Sequence, residues 1–293
     1  MSEIHRSIIK QIRKLRGISQ KQLGDLVGSQ STVSRIENNQ TEPSDYTLYL
    51  LCKTLNISFD EYFCSVFGLE ESNIEKLETI LLHAYVRNDR QQLQQLWIFY
   101  RRQYRDKKMN RLIFHQTMMI KATICRLDTN KHASISEKNK LINYFFDVQE
   151  WQYYDLRLLT WTLNLLDIKQ IKPYITHIMR CNQLKKISNC VSIGIGQMLI
   201  SALSSSIINQ ERQMTSYLLT MAESWQIHQS VNFNFKTWLL FLAGIVENRV
   251  QHQGKQNEKI KHAYRIAAYL HSDSTIGLFD RFLKSASSCS EIQ

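Results

Sequence analysis

Apolar residues recur every three or four positions along most of the chain, the period of an α-helix. Over residues 1–67 this pattern predicts five short helices. Ile4, Ile8, Ile12 and Leu15 form the first stripe, widened by Ile9, and Gly17 ends it. Ser19 and Gln22 then form a capping box, a local helix-start signature, ahead of Leu23, Leu26 and Val27. Ser29 opens a third helix, Gln30 to Asn38, whose apolar members are Val33 and Ile36 alone. Pro43-Ser44 starts a fourth, with Leu48, Leu51 and Leu55 on one side. Ser58 and Glu61 cap a fifth that is expected to bury Phe59, Phe63 and Val66.

Gly68 to Asn73 reads as a linker, and Ser72 with Glu75 as the next helix cap. Eleven further helices follow, among them 108–127, 150–166, 230–250 and 274–286. Their connections are short, so neighbours are expected to pack as antiparallel hairpins. An array of such pairs stacks into a solenoid. The tetratricopeptide signature residues are not legible, so the solenoid reading rests on helix number and spacing.

Composition narrows the fold further. Two prolines and nine glycines in 293 residues leave too few turn signals for a sandwich or barrel. The six cysteines, Cys52, Cys64, Cys125, Cys181, Cys190 and Cys289, form no CxxC pair and no zinc spacing with histidine. They read as reduced thiols of a soluble cytoplasmic protein. The N-terminus has no apolar signal core, and the longest clean apolar run, Trp238 to Val246, is too short to span a bilayer. No metal site or cofactor is expected. The Gly194-Ile195-Gly196 run lacks the third glycine and preceding strand of a dinucleotide fingerprint, and fits close helix approach better. Nothing in the chain has the spacing of catalytic machinery, and no enzyme is expected.

The formal charge of +11 favours an anionic partner. Within residues 1–41 there are seven Lys or Arg against three Asp or Glu, while over 1–70 the two signs balance. The first three helices thus hold the positive surplus of their domain. Two other basic clusters, Arg101, Arg102, Arg105, Lys107, Lys108 and Lys169, Lys172, Arg180, Lys185, Lys186, lie further on. They fit solvated helix faces, a positive rim for an acidic ligand, or contacts to a nucleic acid.

Residues 19–37 carry the sharpest chemistry. Two short helices flank a tight Gly/Ser turn, and the second is poor in apolar residues and rich in small polar ones. A helix in the major groove needs that composition: one narrow stripe to hold it, and donors and acceptors outward for base edges. Val33 and Ile36 are the stripe; Gln30, Ser31, Thr32 and Arg35 face outward. Gln20, at the start of the second helix, is placed to meet a phosphate, with Arg16 and Lys21 adding charge.

This segment resembles the helix-turn-helix of the lambda-repressor/Cro class at Leu15-Arg16, Ser19-Gln20, Leu23 and Ser34-Arg35-Ile36-Glu37. Its turn is one residue shorter than the commonest form. With Ser29-x-Ser31-x-Val33 following, it resembles the Rgg/GadR/MutR regulators, as does Glu150-Trp151-x-x-Tyr154-Asp155-Leu156-x-Leu158-Leu159. The resemblance implies an all-α protein: a five-helix lambda-repressor-like DNA-binding domain over 1–67, a linker over 68–73, and a TPR-like right-handed helical solenoid over 74–293. It also implies a homodimeric transcriptional regulator that binds double-stranded DNA and senses a short hydrophobic peptide pheromone. A phage-type or toxin–antitoxin repressor without peptide ligand, and a helical interaction scaffold without DNA binding, remain the alternatives.

In domains of this class the positions of Arg13 and Glu37 hold an internal ion pair, so the two are expected to pair here. On helix 150–166, Leu156, Leu159, Leu163 and Leu166 follow core spacing, whereas Arg157, Trp161 and Asn164 share another face. Asn234 and Trp238 repeat the pairing of amide and aromatic on helix 230–250, with Lys236 nearby. Amide, indole and cation suit a peptide's backbone, apolar side chains and acidic end, although tryptophans also fill gaps between helices. The family usually carries Asn where Trp161 stands, so the usual backbone clamp is altered here.

Overall fold

The computed structural model describes residues 4–38, 40–68, 73–106, 110–128, 130–182, 188–228, 232–251 and 257–288. The side chain of Arg6, residues 69–72 of the linker expected over 68–73, and Lys107, Lys108, Lys185, Lys186 and Cys289 lie outside the described residues. Among those described, the regular structure is helical throughout. The chain divides into two compact units, Met1–Lys76 and Leu77–Gln293.

The first unit contains α1 (Ile4–Leu15), α2 (Gln20–Val27), α3 (Gln30–Glu37), α4 (Asp45–Leu55) and α5 (Phe59–Phe67). Serines cap four of them: Ser19, Ser29, Ser44 and Ser58 each accept from a backbone N–H three residues on, satisfying donors the helix start leaves free. Ile9, Leu23, Val33, Ile36, Leu51 and Leu55 close the core. The stripe departs from expectation at its edges. Leu15 is 85% exposed because α1 ends there, and Leu26 also faces solvent. On α5 the buried aromatic is Tyr62, and Phe59 and Phe63 are exposed on the neighbouring side.

The second unit begins within α6 (Asn73–Arg87), followed by α7 (Arg90–Asp106), α8 (Arg111–Leu127) and α9 (Ile135–Asp147). Next come α10 (Tyr153–Thr162), α11 (Ile168–Asn182), α12 (Asn189–Ile208) and α13 (Arg212–His228). The last three are α14 (Phe233–Gln251), α15 (Glu258–Tyr269) and α16 (Asp273–Ser288). Sequential neighbours pair, as in α7 with α8, α12 with α13 and α14 with α15. Alternate helices α8, α10, α12 and α14 also touch in succession, forming a continuous layer. Gly194 and Gly196 make this possible on α12. A Cβ on Gly194 would stand 3.1 Å from Leu156 and Tyr153, and one on Gly196 3.1 Å from Phe235. Over its length α12 is apolar enough to cross a membrane, but much of it is buried against this layer.

The helix expected over 150–166 is shorter. It starts after Gln152, whose backbone N–H donates to Asp155 (2.9 Å), and it tightens into a 3₁₀ turn over Leu163–Leu165. Trp151 therefore precedes the helix. It is buried against Phe145, and its indole N–H donates to His177 (3.2 Å). Leu156, Leu159, Leu163 and Leu166 are all buried. Beside them lies a buried polar knot. His115 meets the Tyr154 hydroxyl at 2.7 Å, and the Tyr144 hydroxyl donates to Asp155. Burial, with Arg111 nearby, pushes His115 down to about 4.

Candidate nucleic-acid interface and ligand site

Three local contacts set α2, the turn after it and α3. Ser19 Oγ accepts from the Gln22 backbone N–H, and the Gln22 side chain accepts from that of Ser19, at 3.1 and 2.8 Å. Gly24 sits where α3 begins: a Cβ there would lie 2.3 Å from the Gln30 backbone nitrogen, so another residue would force the two helices apart. Ser29 caps α3 through the Thr32 N–H (3.1 Å) and also bonds the Ser31 and Thr32 hydroxyls at 2.8 Å.

This anchoring leaves one face of α3 open. Val33, Ile36 and Glu37 are buried, Gln30, Ser31 and Arg35 are exposed, and Thr32 is half-buried. Lys21 and Arg16 are exposed, and Arg16 donates to the Asn56 carbonyl at 3.2 Å. Gln20 is half-buried and committed elsewhere, its amide donating to Glu37 at 2.7 Å.

Glu37 is the hub beneath that face. Arg13 grips it through Nε (2.5 Å) and Nη2 (3.0 Å), while Nη1 donates to the Ile18 carbonyl (2.7 Å). Burial alone would push the Glu37 carboxyl up. The hydrogen bonds from Arg13 and Gln20, and the charges of Arg13 and Lys10, outweigh burial and hold it below its ordinary value. The Arg13 guanidinium is correspondingly raised, chiefly by its bond to Glu37.

In the second unit, Asn164 and Trp161 both meet Arg126, while the other residues singled out from sequence have separate surroundings. Arg157 is already paired: its Nε donates to Glu78 at 2.7 Å, and its guanidinium lies 4.9 Å from the Tyr153 ring centre. Asn164 lies on the 3₁₀ turn, donating to the Ala122 carbonyl (2.9 Å) and accepting from Arg126 Nε (3.2 Å). Trp161 is half-buried, with the Arg126 guanidinium 5.8 Å from its ring. Trp238 packs edge-on against Phe279, 4.8 Å between ring centres, and is also half-buried. Asn234 is exposed. Lys236 lines a cavity of about 610 Å³ between α13, α14 and α15, floored by Leu239, Leu240 and Ala243.

Arg126 and Glu78 escaped the sequence reading. Each meets its partners 34–38 and 79 residues away, a distance no local pattern reports.

Residues 9–62 match the model of a helix-turn-helix domain. Residues 94–281 match that of the C-terminal domain of the HTH-type transcriptional regulator Rgg. Among solved structures, the SHP pheromone receptor Rgg2 of Streptococcus dysgalactiae superposes with a TM-score of 0.70 at 21% identity, over 97% of this chain and 99% of that one. A putative transcriptional regulator from Listeria monocytogenes EGD-e gives 0.76 at 14% identity, covering 100% of both chains. The PrgX/cCF10 complex gives 0.71 at 17% identity, over 99% of this chain and 94% of that one. At these identities the structures establish a shared fold. With the family match running over most of the chain behind a helix-turn-helix, the protein belongs to the Rgg family of HTH-type transcriptional regulators.

Proposed function

We propose that the chain is a cytoplasmic, homodimeric transcription factor whose DNA binding is controlled by a short imported peptide pheromone held in the second unit. The observation that carries the reading is the open polar face of α3 in a chain whose remainder matches the Rgg C-terminal domain. The fold shared with a pheromone receptor and with the PrgX/cCF10 complex supports the peptide.

Arg35 and Gln30 are the base readers, joined by Ser31 and Thr32. Arg16, Lys21 and the N-terminus of α2 at Gln20 face phosphates. A two-fold dimer then reads half-sites about one helical turn apart, or a multiple of it. In the second unit, Trp161 and Trp238 cover apolar side chains of the peptide, Asn234 meets its backbone and Lys236 supplies positive charge, whereas Arg157 and Asn164, already held by Glu78 and by Ala122 and Arg126, support the site from within the protein. The peptide biases the unit between arrangements and so acts on the DNA-binding domains.

The test is thermal melting of the full chain against a library of short hydrophobic peptides, followed by binding to its own upstream DNA. Selective stabilisation by some peptides is expected, and Trp161→Ala should remove it while DNA binding by the peptide-free protein survives. Absence of DNA binding would favour an interaction scaffold. DNA binding without any peptide response would favour a simple repressor.

A further inference from the structure

Among the described residues, no carboxylate pairs with two arginines of the second unit, Arg126 and Arg281. Arg126, near the end of α8, spends its Nε on Asn164 (3.2 Å) and its Nη2 on the carbonyls of Thr160 (3.3 Å) and Trp161 (3.2 Å). Its Nη1 has no acceptor among the described residues. Arg281, on α16, donates through Nη2 to the Val86 carbonyl at 2.7 Å. Its Nε is buried and finds no hydrogen-bond partner.

Tyr85 of α6 joins the two. The Arg281 guanidinium lies 5.1 Å from its ring centre, and its hydroxyl is near enough to Arg126 to act on it electrostatically. The helices are drawn together here: a Cβ on Gly277 of α16 would be 3.5 Å from Val86. Thr160 is also held by Ser201 of α12 (3.0 Å), so α6, α8, α10, α12 and α16 meet around one spot.

The contrast with other buried cations is physical. Arg13 and Arg157 each sit on a carboxylate. Among the described residues, Arg126 and Arg281 meet neutral carbonyls and aromatic faces. Keeping two like charges partly out of water is costly unless an anion joins them. A guanidinium's planar fork is matched to a carboxylate.

We infer that Arg126 and Arg281, both neighbours of Tyr85, form the seat for a carboxylate of the peptide ligand. This rests on the peptide reading above and specifies the ligand's chemistry: an apolar peptide with one anionic group, with Trp161 beside the seat for an adjacent apolar residue. That carboxylate is either the peptide's C-terminus or an Asp or Glu side chain.

The probes are pools of short apolar peptides made in matched forms: free acid or C-terminal amide, each with one Asp or with Asn in its place. Dissociation constants are measured on the full chain by calorimetry. Anionic forms should bind ~10–100-fold tighter than their neutral twins, the range for a charged hydrogen-bonded contact. Arg281→Gln should erase that advantage and leave the neutral peptides' affinity unchanged; Arg281→Lys should keep part of it. Arg126→Gln should do the same if it folds, and Arg281→Gln carries the test if it does not. An advantage tied to the free acid assigns the C-terminus, and one tied to Asp assigns a side chain. Equal binding of acid and neutral forms, or an advantage that survives Arg281→Gln, overturns the seat while leaving the peptide reading standing. Binding by no pool counts against both.

Discussion

Replacing Glu37 by alanine removes the acceptor for two donors of Arg13 and for the Gln20 amide. The Arg13 side chain is only 9% exposed, so its charge would stay in the domain with no partner. Breaking a buried pair from one side costs ~3–5 kcal/mol. A domain of this unit's size has roughly 4–11 kcal/mol in total, at ~0.05–0.15 kcal/mol per residue. At ~4–8 °C per kcal/mol, the first unit's melting point should fall by at least ~12 °C. Because this unit has its own core, scanning calorimetry of the full chain can follow its transition beside that of the second unit. Replacing both Arg13 and Glu37 by methionine should restore most of the loss, since an apolar pair leaves no orphaned charge. The pH dependence has a definite sign. The carboxyl is held below its ordinary value, so its contribution is full above the unfolded value near ~4.3 and disappears as pH falls through the folded one. A Glu37→Ala protein that melts like the parent would refute the reasoning.

Three further outcomes are expected. Gly24→Ala should destabilise the first unit by ~1–3 kcal/mol, because its methyl group would meet Gln30 backbone; unchanged denaturant unfolding would contradict this. Arg35→Ala should cost ~1–3 kcal/mol of DNA binding and relax preference at one base position; a uniform loss with a shallower salt slope would make it a phosphate contact, and no loss would discredit α3 as the reader. With His115 held to about 4 and an unfolded imidazole near ~6.5, the unfolded chain binds the extra proton between those values. Stability of the second unit should therefore fall by up to ~3 kcal/mol as pH drops across that window, and His115→Gln should flatten the profile; identical profiles would remove His115 from the account.

Local signals were the legible part of this fold. Capping serines such as Ser19 and Ser58 act within four residues, so the chain itself announces where α2 and α5 begin. Periodicity likewise marks Leu156, Leu159 and Leu163 as core. It misleads at edges, where Leu15 and Phe63 keep the spacing but have no neighbour to cover them. The face of α3 was readable because one short helix carries it. The second unit's chemistry was not. Arg157 looked available on its own helix, yet its carboxylate stands on α6, and Arg126 reaches across to the end of α10. Helical spacing sets Asn164 near Trp161, and Arg126 touches both, its Nε donating to Asn164 and its guanidinium lying 5.8 Å from the Trp161 ring, a cross-helix contact that spacing does not report.

The central claim is that peptide and DNA are coupled through this chain. Its most direct test is the affinity of the full-length protein for its own upstream DNA, measured by fluorescence anisotropy with and without the peptides that raise its melting point. The account predicts a shift of ~5–150-fold in either direction, matched by an equal effect of DNA on peptide affinity. DNA affinity unmoved by saturating peptide would contradict it.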